Sequence, residues 1–184
     1  MNPIKSLFTL IVSPKRSWET ISEEKSNTQD SLSSSILYPI LGLFAIIVFF
    51  KEIEFTSERH NSGIEEAIQY AVIAFIQIFS TYYITSYILK RIFKQYSSEK
   101  INIYLIYLIS ITALFYIIMT ILSDYVNYIA PLSLYIIYEA WIGYKYINSD
   151  TVNTDTKFVI SVSTMILMLP LVISFVLRTL LTLI

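Results

Sequence analysis

The chain has 184 residues, of which 55% are hydrophobic and 15% charged, whereas soluble domains carry about 25% charged residues. Its net charge of −1 provides no positive field to recruit nucleic acid. The absence of cysteine excludes disulfides, thiolate metal sites and cysteine nucleophiles, and three glycines are too few for a phosphate-binding loop, so no cofactor is expected. The composition predicts a membrane protein.

Residues 1–30 are predicted to form a cytoplasmic amphipathic segment at the membrane surface. Apolar side chains recur there at helical spacing: Ile4, Leu7, Phe8 and Ile11. Pro14 predicts the first turn of a second short helix, on which Trp18 and Ile21 share a face. Because tryptophan favours the headgroup layer, we expect Pro14, Trp18 and Ile21 to form an interfacial anchor. The alternative is that the segment docks on the helices that follow.

Five apolar runs follow, and each is long enough to cross a bilayer, which takes about 20 residues. They occupy residues 31–50, 67–89, 101–123, 125–147 and 158–180. The sequence therefore predicts an all-α fold: a polytopic membrane bundle of five transmembrane helices in one domain, residues 31–184. Pro170 lies near the middle of the last run and predicts a kink there, because proline removes one backbone hydrogen bond.

The loop between the first two runs is polar and acidic, and it holds the only histidine, His60. A metal site would combine His60 with Glu58 or Glu65. One imidazole with scattered carboxylates lacks the spacing of a zinc site. We therefore expect a solvated acidic loop and no metal site.

The basic residues are divided very unevenly between the two sides of a five-span protein. One side receives Lys5, Lys15, Arg16, Lys25, Lys90, Arg91, Lys94, Lys100, Lys145 and Lys157. The other side receives Lys51 and Arg59, with Arg178 approaching it. The excess of positive charge predicts a cytoplasmic N-terminus and an extracytoplasmic C-terminus in the inner (cytoplasmic) membrane.

The fourth run contains a carboxylate, Glu139, where a charged side chain costs at least a few kcal/mol. On a helix, Tyr128, Tyr135, Gly143 and Tyr146 share its face. Arg178 lies about 20 Å away in depth, which rules out a salt bridge with Glu139.

Every other run has a hydroxyl at the depth of Glu139. With Tyr135, the candidates for a buried polar cluster are Tyr38, Thr85, Tyr107, Ser110 and Ser163. We expect Glu139 to be hydrogen-bonded to such hydroxyls and to be protonated much of the time, since burial without a cation disfavours the charged form. The alternative is that Glu139 tilts toward the interface and meets Lys145, Lys90 or water.

Short motifs suggest a family. Pro14, Trp18 and Ile21 form P-x-x-x-W-x-x-I before the five runs, and Trp141 and Tyr146 form W-x-x-x-x-Y at the end of the fourth. Together with the basic connection that opens a tyrosine-rich third run, this pattern resembles the bacterial branch of the Yip-one domain family, the Ypt/Rab-interacting membrane proteins. The resemblance implies five spans and a cytoplasmic N-terminus.

Eukaryotic members of that family bind prenylated small GTPases and associate with one another. Their Asp-Leu-Tyr-Gly-Pro-like motif has no counterpart here, because the chain contains no Asp-Leu pair. GTPase binding is therefore not supported. The resemblance implies a fold and a location for this chain without assigning an activity.

Three functions remain open at this point. The first is a non-enzymatic membrane protein that organises the bilayer or partner proteins, with lipid, other membrane proteins or a second copy as partners. The second is a small proton, cation or solute transporter or channel that uses Glu139. The third and weakest is an intramembrane enzyme, because the runs contain no aspartate pair, no histidine and no serine with a base at matching depth.

Overall fold

A computed structural model of the chain describes residues 3–23, 29–57, 63–122, 130–147 and 155–181. The described residues form helices and no strand, which confirms the all-α prediction. The helices are α1 (Pro3–Val12), α2 (Pro14–Glu23), α3 (Gln29–Leu32), a π-helical turn (Ser33–Leu37), α4 (Tyr38–Ser57), α5 (Gly63–Ile92), α6 (Ser98–Ile121), α7 (Ala130–Ile147) and α8 (Thr156–Leu181). His60, Tyr128 and residues 148–154, which belong to the polar loop after the fourth run, lie outside the described residues.

Four stretches among the described residues are long and apolar enough to cross a membrane. They are Asp30–Glu54, Gly63–Ile92, Ser98–Ile121 and Thr156–Leu181. The predicted count of five is not confirmed, because α7 does not reach the hydropathy of the other four. Its 18 residues include Glu139 and Lys145 as well as several tyrosines, which lower its mean hydropathy over the length of a span.

Helix α6 forms the centre of the bundle. Its side chains from Ile101 to Ala113 are buried, apart from the half-buried Ile103. Helices α4, α5 and α7 pack around it, and α8 packs against α5 and α7. A helix that is apolar on all sides has no preferred solvent face, so surrounding it with other helices buries the most apolar surface.

The first long helix widens at the π-helical turn before Pro39. The backbone N–H of Tyr38 donates to the carbonyl of Ser33, five residues back. Pro39 has no N–H to give to the carbonyl of Ser35, and its ring would crowd that carbonyl in a regular α-helix. The wider turn relieves this crowding, and the helix continues through α4 to Ser57. Helix α8 also runs on through Pro170.

Helices α1 and α2 form an arm, here called the N-terminal arm, that folds onto the bundle. Helix α2 begins at Pro14 as predicted and packs against α7, while α1 packs against α2, α6 and the π-helical turn. Trp18 is 2% exposed and Ile21 is 7% exposed. These two side chains therefore do not contact lipid as predicted. They lie inside the protein, where more of their apolar surface is removed from water than it would be in a headgroup layer. The docking alternative describes this segment.

Candidate functional site

The carboxyl group of Glu139 lies beneath the N-terminal arm, with none of its residue surface exposed. Trp18 of α2 donates a hydrogen bond from its indole Nε1 to Oε2 of Glu139, at 3.1 Å. The hydroxyl of Tyr135, one helical turn earlier on α7, lies 2.6 Å from Oε1. Both carboxyl oxygens therefore have a protein partner, as a buried carboxyl requires.

The hydroxyl of Tyr135 lies between two acceptors but carries one hydrogen. It is 2.8 Å from the backbone carbonyl of Ile11 in α1 and 2.6 Å from Glu139 Oε1. A neutral Glu139 satisfies both contacts, because its own O–H can donate to Tyr135 while Tyr135 donates to Ile11. An ionised Glu139 can only accept, so the Tyr135 hydroxyl donates its hydrogen bond to the carboxylate. The Ile11 carbonyl then loses that donor. The proton on Glu139 thus decides whether the Tyr135 hydroxyl can donate to the Ile11 carbonyl of α1.

The indole of Trp18 fills a space that exists because residue 143 is glycine. A Cβ at Gly143 would lie 2.6 Å and 2.7 Å from two atoms of the Trp18 ring, and 2.8 Å from Cε2 of Tyr104. Ring contacts surround the indole: its centroid is 5.5 Å from that of Tyr104 and 5.9 Å from that of Tyr107. Tyr104 in turn donates to the carbonyl of Ala140 at 2.7 Å, which ties α6 to α7 beside the carboxyl.

The predicted polar cluster is only partly assembled around Glu139. Tyr135 contacts the carboxyl, as expected, but Tyr38 does not. Tyr38 is 37% exposed, and its hydroxyl pairs with that of Tyr83 on α5 at 3.0 Å. The ring of Tyr107 packs against the indole of Trp18. Helix α4 is separated from α7 by α6, so a residue at matching depth need not point to the same place.

The three remaining predicted members are buried but belong to other parts of the bundle interior. Thr85, Ser110 and Ser163 lie on α5, α6 and α8, and their hydroxyls have no hydrogen-bond partner within the described part of the chain. All three lie inside the protein. The structure assigns none of them to the Glu139 carboxyl.

The charged alternatives for Glu139 are not realised among the described residues. Lys145 is exposed, whereas Glu139 is enclosed by Trp18 and Tyr135. Arg178 lies over the ring of Tyr70 on α5, with its guanidinium carbon 4.8 Å from the ring centroid. This agrees with the depth argument that separated Arg178 from Glu139.

A second hydrogen-bonded group lies at the same end of the bundle as Glu139. The Tyr96 hydroxyl, between α5 and α6, lies 2.9 Å from that of Tyr144 and donates to Asp155 at 3.1 Å. Phe158 packs against the rings of both tyrosines. Burial, followed by the hydrogen bond with Tyr144, raises the pKa of Tyr96 above its usual value.

The contact that sequence reasoning missed is the one between Trp18 and Glu139. The sequence pattern predicts that Trp18 lies among lipid headgroups, and it does not indicate a hydrogen bond to a carboxyl 121 positions away. One signal was available. Gly143 lies one turn after Glu139 on the same face, and glycines in membrane helices are enriched where another helix packs closely.

Comparison with known proteins adds no relative. No protein-family profile, no curated protein and no solved structure significantly matches the chain.

Proposed function

We propose that this chain is a non-enzymatic, multi-pass protein of the inner membrane that organises the bilayer or partner membrane proteins, a role that fits the fold and location implied by its resemblance to the Yip-one domain family. The four long apolar helices support a membrane location. One observation favours organisation over transport: the carboxyl of Glu139 is fully buried and is used to hold the N-terminal arm.

The geometry around Glu139 supports a structural role for its carboxyl. A transport site must exchange its ligand with both sides of the membrane, whereas both oxygens of Glu139 are occupied by Trp18 and Tyr135. The transport alternative would require the arm to leave α7 in each cycle. It draws support from the three buried hydroxyls without partners in the described residues, Thr85, Ser110 and Ser163.

Reconstituted vesicles separate the two functions. Wild-type protein and Glu139→Gln are placed in liposomes with a trapped pH dye, and a pH gradient is imposed. We expect both proteins to give the proton flux of protein-free vesicles, together with energy transfer between fluorescently labelled copies that persists on dilution with lipid. A flux that requires Glu139 would replace organisation with transport. The absence of both flux and energy transfer would remove self-association from the proposal.

The proposal includes five crossings, with α7 as the fourth, a cytoplasmic N-terminus and an extracytoplasmic C-terminus. Lys145 and the polar loop at 148–154 would then lie in the cytoplasm. We expect a reporter at the C-terminus to be active outside and one inserted in 148–154 to be active inside. Four crossings would place the two chain ends on the same side, and that result would remove α7 from the set of spans.

A further inference from the structure

The corner between α1 and α2 lies at a defined depth in the bundle. The carbonyl of Ile11, next to this corner, is at the hydroxyl of Tyr135 and therefore near the Glu139 carboxyl. Glu139 precedes the exposed Lys145 by six residues, which is about 9 Å along the helix. On α6, the ring of Trp18 meets Tyr104, four residues or about 6 Å past Lys100. The corner thus lies roughly 6–9 Å deeper in the bundle than Lys145 and Lys100.

This depth is that of an amphipathic helix in one leaflet, whose apolar face lies about 5–10 Å inside the boundary of headgroups and acyl chains. The inner face of α1 is occupied, because Leu7 and Leu10 are buried in the bundle. Its outer face is apolar and free: Phe8 is 58% exposed and Val12 is 82% exposed. A second apolar face at this depth meets acyl chains if the bundle spans a bilayer.

Positive charge borders the outer apolar face. Lys5 lies on the same side of α1 as Phe8 and Val12, and Arg16 follows the corner at the start of α2. Both side chains are exposed, and within the described residues neither has an acidic side chain at ion-pair distance. Long basic side chains can reach the headgroups while their stems stay among apolar atoms. The ligand that complements them in charge is a phospholipid whose headgroup has a net negative charge.

We propose that the N-terminal arm is a wedge in the cytoplasmic leaflet, and that its outer edge, formed by Lys5, Phe8, Val12 and Arg16, binds anionic phospholipids. The inference rests on the proposed membrane function and supplies the physical means by which the protein organises the bilayer. Phe8 and Val12 displace acyl chains, while Lys5 and Arg16 hold phosphate groups beside the bundle. The edge differs from the interfacial anchor expected from the sequence, because Trp18 and Ile21 face inward.

Spin labels test the position of the wedge, and the absence of cysteine lets each label occupy a single introduced site. Phe8→Cys and Val12→Cys carry the labels, with Met168→Cys on the exposed side of α8 as the bilayer control and Lys94→Cys as the water control. We expect the labels at 8, 12 and 168 to be reached by oxygen more readily than by a water-soluble nickel chelate. The label at 94 should show the reverse order.

The outcomes distinguish this inference from the proposal on which it rests. If the labels at 8 and 12 behave like that at 94 while the one at 168 lies in the bilayer, the wedge is wrong and the membrane bundle stands. If the label at 168 also behaves like that at 94, the membrane placement itself fails.

A fluorophore at Val12→Cys tests the lipid chemistry. Its quenching is compared between phosphatidylglycerol and phosphatidylcholine that carry the same headgroup-proximal nitroxide. We expect stronger quenching by phosphatidylglycerol, and we expect the ratio to fall about fivefold for each charge removed in Lys5→Gln and Arg16→Gln, since one basic residue near an anionic surface contributes about 1 kcal/mol. Lys51→Gln is the matched control, because Lys51 pairs with Glu54 at the other end of α4. Equal quenching by the two lipids, or an equal loss in the control, would overturn anionic recognition.

Discussion

Gly143→Ala tests whether the N-terminal arm packs on α7 as described. The added methyl group would lie 2.6 Å from the Trp18 ring and 2.8 Å from Tyr104, closer than real Cβ contacts come. The indole is held between two tyrosine rings and by its hydrogen bond to Glu139, so it has little room to move. Overpacking of this kind costs about 1–3 kcal/mol.

Gly42→Ala is the matched control for this substitution. Gly42 also lies inside a helix, α4, but a Cβ there has no atom within 4 Å. Replacing glycine with alanine in a helix stabilises it by about 0.5–1 kcal/mol at either position. This gain cancels between the two variants, so the difference in their free energies of unfolding should be the overpacking cost, about 1–3 kcal/mol.

Equilibrium unfolding in mixed micelles measures the difference, and hydrogen exchange locates it. We expect the amides of α2 to exchange faster in Gly143→Ala than in Gly42→Ala. In a Trp18→Ala background the cost should shrink without vanishing, because Tyr104 still crowds the methyl group. If the two alanine variants unfold alike and α2 keeps its protection, the arm does not occupy the place assigned to it.

Three further predictions concern single side chains. Trp18→Phe keeps an aromatic ring beside Gly143 but removes the Nε1–H donor to Glu139. The free energy of unfolding, measured by thermal unfolding, should fall by about 1–3 kcal/mol. An unchanged midpoint would contradict the hydrogen bond. Ser110→Ala removes a buried hydroxyl that has no partner within the described residues. The free energy of unfolding should stay the same or rise by up to about 1 kcal/mol. A clear loss of stability would reveal a bound water or solute at this hydroxyl. Because the pKa of Tyr96 is raised in the folded state, its contribution to stability is complete below the usual tyrosine pKa of about 10 and falls as pH rises above it. Tyr96→Phe should therefore unfold with a weaker dependence on pH above about 10, and an unchanged alkaline profile would remove Tyr96 as its source.

Periodicity and the length of the apolar runs were enough to predict the helices. Each run of about 20 apolar residues corresponds to a described helix, and Pro14 marks the start of α2. These features are local, because a helix satisfies its own backbone hydrogen bonds. Residue counting at a fixed rise per residue also predicts the height of each side chain along its helix. The same arithmetic correctly separated Glu139 from Arg178.

The tertiary structure alone decided which side chains meet at a given depth. Sequence position sets the height of a residue in the bundle but leaves open which helices are neighbours. Tyr38 has the right depth for Glu139 and nevertheless pairs with Tyr83, because α4 packs against α5 and α6. The direction of Trp18 was open for the same reason: an amphipathic helix can bury its apolar face in lipid or in protein, and its sequence is the same in both cases. What settles the choice is the space at Gly143 together with a buried carboxyl that needs a donor, and these are brought to Trp18 only when α2 packs on α7.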